Sequence, residues 1–167
     1  MENNITVNME NLSEEEREQL MKLIKKSNGR KRKVWKPENN ETYFYISGHG
    51  RINYHKWNND STDNRYYGIG NCFQTKEEAE FALEKVKVET ELRRFAEENN
   101  EYQIDWKNRN QNKWFIYYNY VMKNIGVVYD TVLRTHCIYF SSKEIAEQAI
   151  DYIGEERLKK YYLGIED

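Results

Sequence analysis

Apolar residues recur at helical spacing most clearly from Thr75 to Asn99, TKEEAEFALEKVKVETELRRFAEEN, and they form two stripes. At about 100° per residue, Ala79, Ala82, Leu83 and Val86 lie on one face, and Phe81, Val88, Leu92 and Phe95 on nearly the opposite one. A helix with one side in water needs a single apolar stripe, so two stripes on a helix of ~37 Å predict cover from two sides. One cover is its own sheet. The other is a second sheet, the N-terminal helix or another copy of the chain. Thr75 and Glu78 have the spacing of a capping box, which fixes the start of the helix. Glu77, Glu78 and Glu80 suit the positive end of its dipole.

Upstream, Ser13 and Glu16 make a second capping-box spacing, and Leu20, Leu23 and Ile24 form a narrow stripe that ends at Asn28-Gly29. This predicts a short helix over 13–28 behind a tail, Met1 to Asn11, with at most an edge strand around Ile5 to Val7. Thr42 to Ile46 and Arg51 to Tyr54 read as strands joined through Ser47-Gly48-His49-Gly50. Asn58 to Asn64 reads as a loop, and Arg65 to Phe73 as a third strand running into the central helix. The same order then returns. Tyr102–Trp106, Lys113–Val121 and Ile125–Asp130 read as strands, and Thr135–Phe140 leads into a helix at Ser142 that breaks at Gly154 and resumes over Glu155–Tyr162. Setting Thr75 against Ser142 pairs Phe73 with Phe140, Lys76 with Lys143, Glu77 with Glu144, Ala79 with Ala146, Glu80 with Glu147 and Ala82 with Ala149, an internal duplication. The expected fold is α+β: two tandem strand-strand-strand-helix repeats, small antiparallel sheets each packed on a helix, preceded by an N-terminal helix. The expected divisions are 1–36, 37–100 and 101–167.

Composition adds to this picture. Aromatic residues make up 14% of the chain against 38% hydrophobic residues in all, so a core built largely from Tyr, Trp and Phe is expected. A net charge of −2 argues against wrapping nucleic acid over the whole surface, yet the charges are sorted. Glu10, Glu14, Glu15, Glu16 and Glu18 are followed by Lys22, Lys25, Lys26, Arg30, Lys31, Arg32, Lys33 and Lys36 with no acid between. Arg30, Lys31, Arg32 and Lys33 beside Trp35 combine charge with a stacking ring, as nucleic-acid binding requires; a solvated connector has the same composition.

Candidate chemistry is thin. No GxGxxG precedes a helix, no GxSxG is present and no acid-base pair is singled out among the glutamates, so no catalytic residue is assigned and an enzyme is not expected. His49, His55 and Cys72 match no closed zinc spacing, and neither a metal nor another cofactor is expected. Cys72 and Cys137 read as reduced, buried thiols. Met1 to Glu18 is polar and acidic and no apolar run reaches about 20 residues, which predicts a soluble cytoplasmic protein without a membrane partner. The remaining candidates are aromatic. Trp57, Arg65, Tyr66 and Tyr67 flank the polar loop and are the expected partner-binding anchors, with Trp57 and Arg65 as an exposed pair.

The strings WKPENNETYFYI (Trp35 to Ile46), RYYGIGNCFQTKEEAEFALEKVKVETELRRFAEENN (Arg65 to Asn100) and IYFSSKEIAEQAIDYIGEERLKKYYLG (Ile138 to Gly164) together resemble small accessory proteins of phages and prophages of Gram-positive bacteria. The resemblance covers most of the chain from Trp35 onward and carries over no catalytic or binding residues. It implies a context, since such proteins include inhibitors of host defence, among them anti-CRISPR proteins, and proteins that soak up nucleotide signals. The leading expectation is a non-enzymatic phage or prophage protein that blocks a host antiviral defence component such as a CRISPR effector (a Cas protein), in the cytoplasm of the bacterial host. The alternative is binding of DNA, RNA or a nucleotide immune signal, and a homodimer is the competing way to bury the second stripe of the long helix. If Arg30 to Lys33 grip DNA, gel-shift affinity should fall steeply with added salt and drop when Lys31, Arg32 and Lys33 become Ala. A flat salt response removes the basic run from the account.

Overall fold

A computed structural model describes residues 12–28, 34–132, 134 and 137–165, the side chains of 22–28 excepted. The chain divides into two units, Met1–Lys36 and Pro37–Asp167. In the first, α1 (Glu14–Asn28) opens with the expected capping box: the Glu16 N–H donates to Ser13 Oγ at 3.3 Å and the Ser13 N–H to Glu16 Oε2 at 2.9 Å. The tail Met1 to Asn11 and the basic residues Arg30, Lys31, Arg32 and Lys33 lie outside the described residues. Trp35 is half-buried.

The second unit carries the α+β fold. Its elements are β1 (Thr42–Ile46), β2 (Ile52–Lys56), α2 (Ser61–Gly68), α3 (Lys76–Asn99), β3 (Lys113–Asn119), β4 (Asn124–Asp130), α4 (Lys143–Ile153), a single turn α5 (Glu155–Arg157) and a C-terminal π-helix (Leu158–Leu163). β1 and β2 form one antiparallel hairpin, with Phe44 opposite Tyr54, and β3 and β4 a second, with Trp114 opposite Tyr129. In the second hairpin the Tyr117 ring lies across Gly126, where a Cβ would stand 2.8 Å from it.

The third strands are where the sequence reading needs correction. Arg65 to Phe73 is not a strand, because most of it belongs to α2 and its turn. Tyr102 to Trp106 is irregular. Of Thr135 to Phe140, Thr135 and His136 lie outside the described residues, and Phe140 contributes only a single bridge. What replaces each third strand is one pair of backbone bonds. Phe44 and Phe73 exchange N–H···O bonds of 2.9 Å each, and Trp114 and Phe140 exchange bonds of 3.0 and 2.8 Å. Asparagine side chains extend the pairing by imitating a backbone amide. Asn71 accepts from the Ile46 N–H and donates to the Ile46 carbonyl, both at 2.8 Å, and Asn100 accepts from the Ser141 N–H at 2.8 Å and donates to the Tyr139 carbonyl at 3.1 Å. Two residues beyond each bridging phenylalanine, Thr75 caps α3 and Ser142 caps α4. The duplication thus survives as hairpin, bridge and capped helix.

The second stripe of α3 is buried against the second repeat. Val88 and Leu92 are fully buried and Ala96 nearly so, in one core with Ile116, Ile145, Ala146, Ala149, Ile153 and Leu158. Phe81 meets Tyr161 with ring centroids 5.3 Å apart, and Phe95 meets Tyr152 at 5.1 Å. The first stripe divides: Ala79 is fully buried, whereas Val86 is 58% exposed. The shared core is mostly aliphatic, contrary to the aromatic core expected from composition, and many rings lie instead on the hairpins and their flanks. The Arg157 guanidinium fastens the C-terminal turn to α3 by donating to both Glu91 carboxylate oxygens, at 2.9 and 3.2 Å. Leu92→Ala should cost about 2–5 kcal/mol in chemical denaturation because it opens a cavity in this core, whereas Val86→Ala on the same helix should change stability by less than about 0.5 kcal/mol.

Candidate interaction surface

The segment between β2 and α3 folds around a buried carboxylate. Asp60 accepts at Oδ1 from the N–H groups of Thr62 (2.7 Å) and Asp63 (2.9 Å), which starts α2, and the side chain of Asp63 reaches back to the Asp60 N–H at 3.4 Å to close a capping box. Asp63 is fully buried, and its carboxylate also accepts from the Tyr43 hydroxyl at 2.8 Å and the Asn58 N–H at 2.7 Å, with His55 Nδ1 3.5 Å away. Burial by itself pushes this carboxyl up. The Asn58 N–H, the Tyr43 hydroxyl, the Asp60 N–H and the nearby His55 outweigh that and hold it below the usual aspartate range. An unpaired carboxylate so deeply placed would not stay charged, so these donors allow the helix to be pinned by an ion.

Pinning α2 sorts the expected anchor residues into two groups. Trp57, expected to be exposed, is only 3% exposed. Its ring is boxed edge-on by Tyr43 (5.9 Å, 69°) and Tyr67 (6.1 Å, 78°), and its backbone N–H donates to the Glu41 carbonyl at 2.8 Å, so this residue is scaffold. Tyr67 is half-buried beside it. Arg65 and Tyr66 face outward. Arg65 is exposed, with Nη2 donating to Thr62 Oγ1 at 3.3 Å, and Tyr66 is half-buried, stacked on Tyr45 at 4.6 Å and 21°. Together with Thr62, Gly68 and Ile69 they line a shallow groove of about 590 Å³. Ile69 is 76% exposed at the end of the helix. Sequence reasoning missed Ile69 and Asp63. The signal available was Asp60-Ser-Thr-Asp63, an N-cap acid followed three residues later by a second acid.

A second exposed apolar feature is the turn between β3 and β4, where Tyr120, Val121 and Met122 are 76, 93 and 73% exposed. The turn is ordered by Asn119, whose Oδ1 accepts from the N–H groups of Val121 (2.9 Å) and Met122 (3.0 Å).

Both cysteines are half-buried rather than buried. Burial, with a smaller contribution from the Asp63 charge, pushes the Cys72 thiol up to about 11, and burial also raises Cys137, so neither is a thiolate at neutral pH. Among the described residues no group of three His, Cys, Asp or Glu side chains is placed to hold a metal ion, and no helix is long and apolar enough to cross a membrane. Comparison of the chain with models of protein families, with curated proteins and with solved structures finds no match.

Because the folded-state pKa of Asp63 lies below its unfolded value, the stabilisation it provides is complete above about pH 4 and drains as the pH falls through the folded pKa. Asp63→Asn leaves buried donors without an anionic acceptor and should lower stability by about 1–3 kcal/mol. Acid titration of thermal stability should be flatter below pH 4 in this variant than in the parent, and identical profiles would mean that the carboxylate does not anchor α2.

Proposed function

We propose that this chain is a non-enzymatic interaction protein whose partner is a protein component of a bacterial host's antiviral defence, a CRISPR effector being the leading target. The observation that carries the interaction reading is the outer face of α2. There an arginine, a tyrosine and an exposed isoleucine stand side by side on a short helix held by a buried carboxylate. Arginine and aromatic side chains supply most of the binding energy at protein interfaces, and an apolar side chain as exposed as Ile69 gains by being covered. Rigidity matters equally. Tyr66 is already stacked on Tyr45 and α2 is already capped, so a partner meets side chains whose ordering cost has largely been met in folding. The choice of a defence protein as the partner rests on the resemblance of the three sequence strings to phage and prophage accessory proteins.

The test is inhibition of candidate CRISPR effectors in a DNA-cleavage assay, with binding measured in parallel. Ile69→Asp and Arg65→Ala should each weaken binding and inhibition by about tenfold or more with the thermal stability kept, because both side chains are exposed. Inhibition that survives both changes would remove α2 from the interface, and a catalytic turnover without any protein partner would overturn the reading as a whole.

A further inference from the structure

The C-terminal end of α3 runs against the electrostatics of a helix. The negative end of the dipole favours Lys, Arg or His, yet the last turn of α3 carries Glu97 and Glu98 and no base, with Glu101 just beyond. Lys87 and Arg93 on the same helix are taken by Glu84 and Glu89, at 2.6 and 2.8 Å. Glu97 makes no hydrogen bond or ion pair among the described residues. It lines a cleft of about 490 Å³ whose other walls include Tyr102, Trp106 and Tyr139 over Ala96 and Ile138.

The aromatic walls are held in place. Trp106 meets Tyr139 edge to face at 4.8 Å and 77°. The Lys113 ammonium lies 5.2 Å from the Trp106 ring centroid and donates to the carbonyls of Asn108 (2.9 Å) and Gln111 (2.8 Å), fixing the loop that carries the indole. The Tyr102 hydroxyl is bonded to the Ser141 carbonyl at 2.6 Å, so this residue offers its ring rather than its oxygen. Of the positive charges near the cleft, Arg93 at its edge is engaged by Glu89, Arg134 beside Tyr139 is engaged by Asp130, and Lys113 is buried outside the cleft lining. Against them stand Glu97 in the lining itself and the negative dipole end of α3, with Glu98 and Glu101 close by in the sequence.

We propose that this cleft receives a cationic side chain, arginine or lysine, presented by a protein partner. Aromatic rings that line one cleft with a carboxylate lacking an internal partner are the groups that recognise an organic cation. The same charges disfavour a phosphate-bearing ligand. The inference rests on the interaction reading above and specifies chemistry that the partner carries at a second point of contact.

The test titrates the full-length protein with the tripeptide acetyl-Gly-Arg-Gly-amide and with its citrulline counterpart, which keeps the shape and removes the charge, reading the Trp106 indole N–H by NMR. The arginine peptide should shift this resonance saturably, and the citrulline peptide should bind about tenfold more weakly. Glu97→Gln should weaken the arginine peptide to a similar degree, while Glu98→Gln, on the same turn but outside the cleft lining, should not. Equal binding of the two peptides, a Trp106 signal that neither moves, or saturable binding of AMP or GMP in their place would overturn the proposal. The peptides need no defence component, so failure here leaves the α2 reading standing, and loss of the α2 reading leaves the titration decisive.

Discussion

A two-stranded hairpin is marginal in water, and the described residues form two of them and no larger sheet. Each must therefore borrow its stability from what it packs on, and both draw on α3. Burying an apolar side chain stabilises by about 1.5–3 kcal/mol, and α3 supplies Ala79, Val88, Leu92 and Ala96 as buried positions. Val88, Leu92 and Ala96 share a core with α4, β3 and the C-terminal π-helix. The helix also contacts β1 and β2. Its length follows from this double duty, since a helix serving a single hairpin would not need 24 residues.

The two repeats share a frame and diverge at one position. Immediately before the bridging residue of each hairpin, Phe44 or Trp114, stands a buried side chain that ends in a hydrogen-bond donor, Tyr43 in the first and Lys113 in the second. Tyr43 reaches the carboxylate of Asp63 and so anchors α2; Lys113 reaches the carbonyls of Asn108 and Gln111 and the ring of Trp106 and so anchors the loop before β3. Equivalent buried positions thus hold two unrelated irregular segments, and each segment carries the exposed aromatic or charged side chains that distinguish its repeat. The hairpins supply rigidity, and the inserted segments carry what differs.

Much of this frame was legible in the sequence because it rests on local rules. The caps at Ser13, Thr75 and Ser142, the hairpin around Gly48 and Gly50, the second stripe of α3 and the pairing of Phe73 with Phe140 all follow from spacing. Arg65 to Phe73 was misread because Arg65-Tyr66-Tyr67 has strand propensity, whereas the capping pair Asp60 and Asp63, one on either side of Ser61 and Thr62, selects a helix. Propensity lost to capping. No spacing rule shows that an asparagine amide, at Asn71 or Asn100, will stand in for a strand residue, since the contact spans 25 or 41 positions. Trp57 was misplaced for a related reason: the register of β1 with β2 sets Tyr43 beside it and α2 brings Tyr67, neither of which local spacing shows. The exposed face of α2 could be half seen, through Arg65 and Tyr66, and Ile69 not at all, because reading 65–73 as a strand places it in a sheet.

Among the described residues, buried polarity serves the fold. General acid-base catalysis requires a titratable group that is both perturbed and free to meet a substrate. Among the described residues the buried polar side chains are Asp63, Lys113 and Ser141, and each is already engaged in holding the fold. Asp63 bonds to Tyr43 and two backbone N–H groups, Lys113 to two carbonyls, and Ser141 Oγ accepts from the Glu101 N–H at 3.0 Å. Glu97 and Ile69, by contrast, sit at the surface, where the isoleucine is left uncovered. Apolar surface such as Ile69 gains free energy when it is covered, whereas a solvated carboxylate such as Glu97 gains only if a cation replaces the water it loses, and on that difference the proposed interactions at α2 and at the cleft rest.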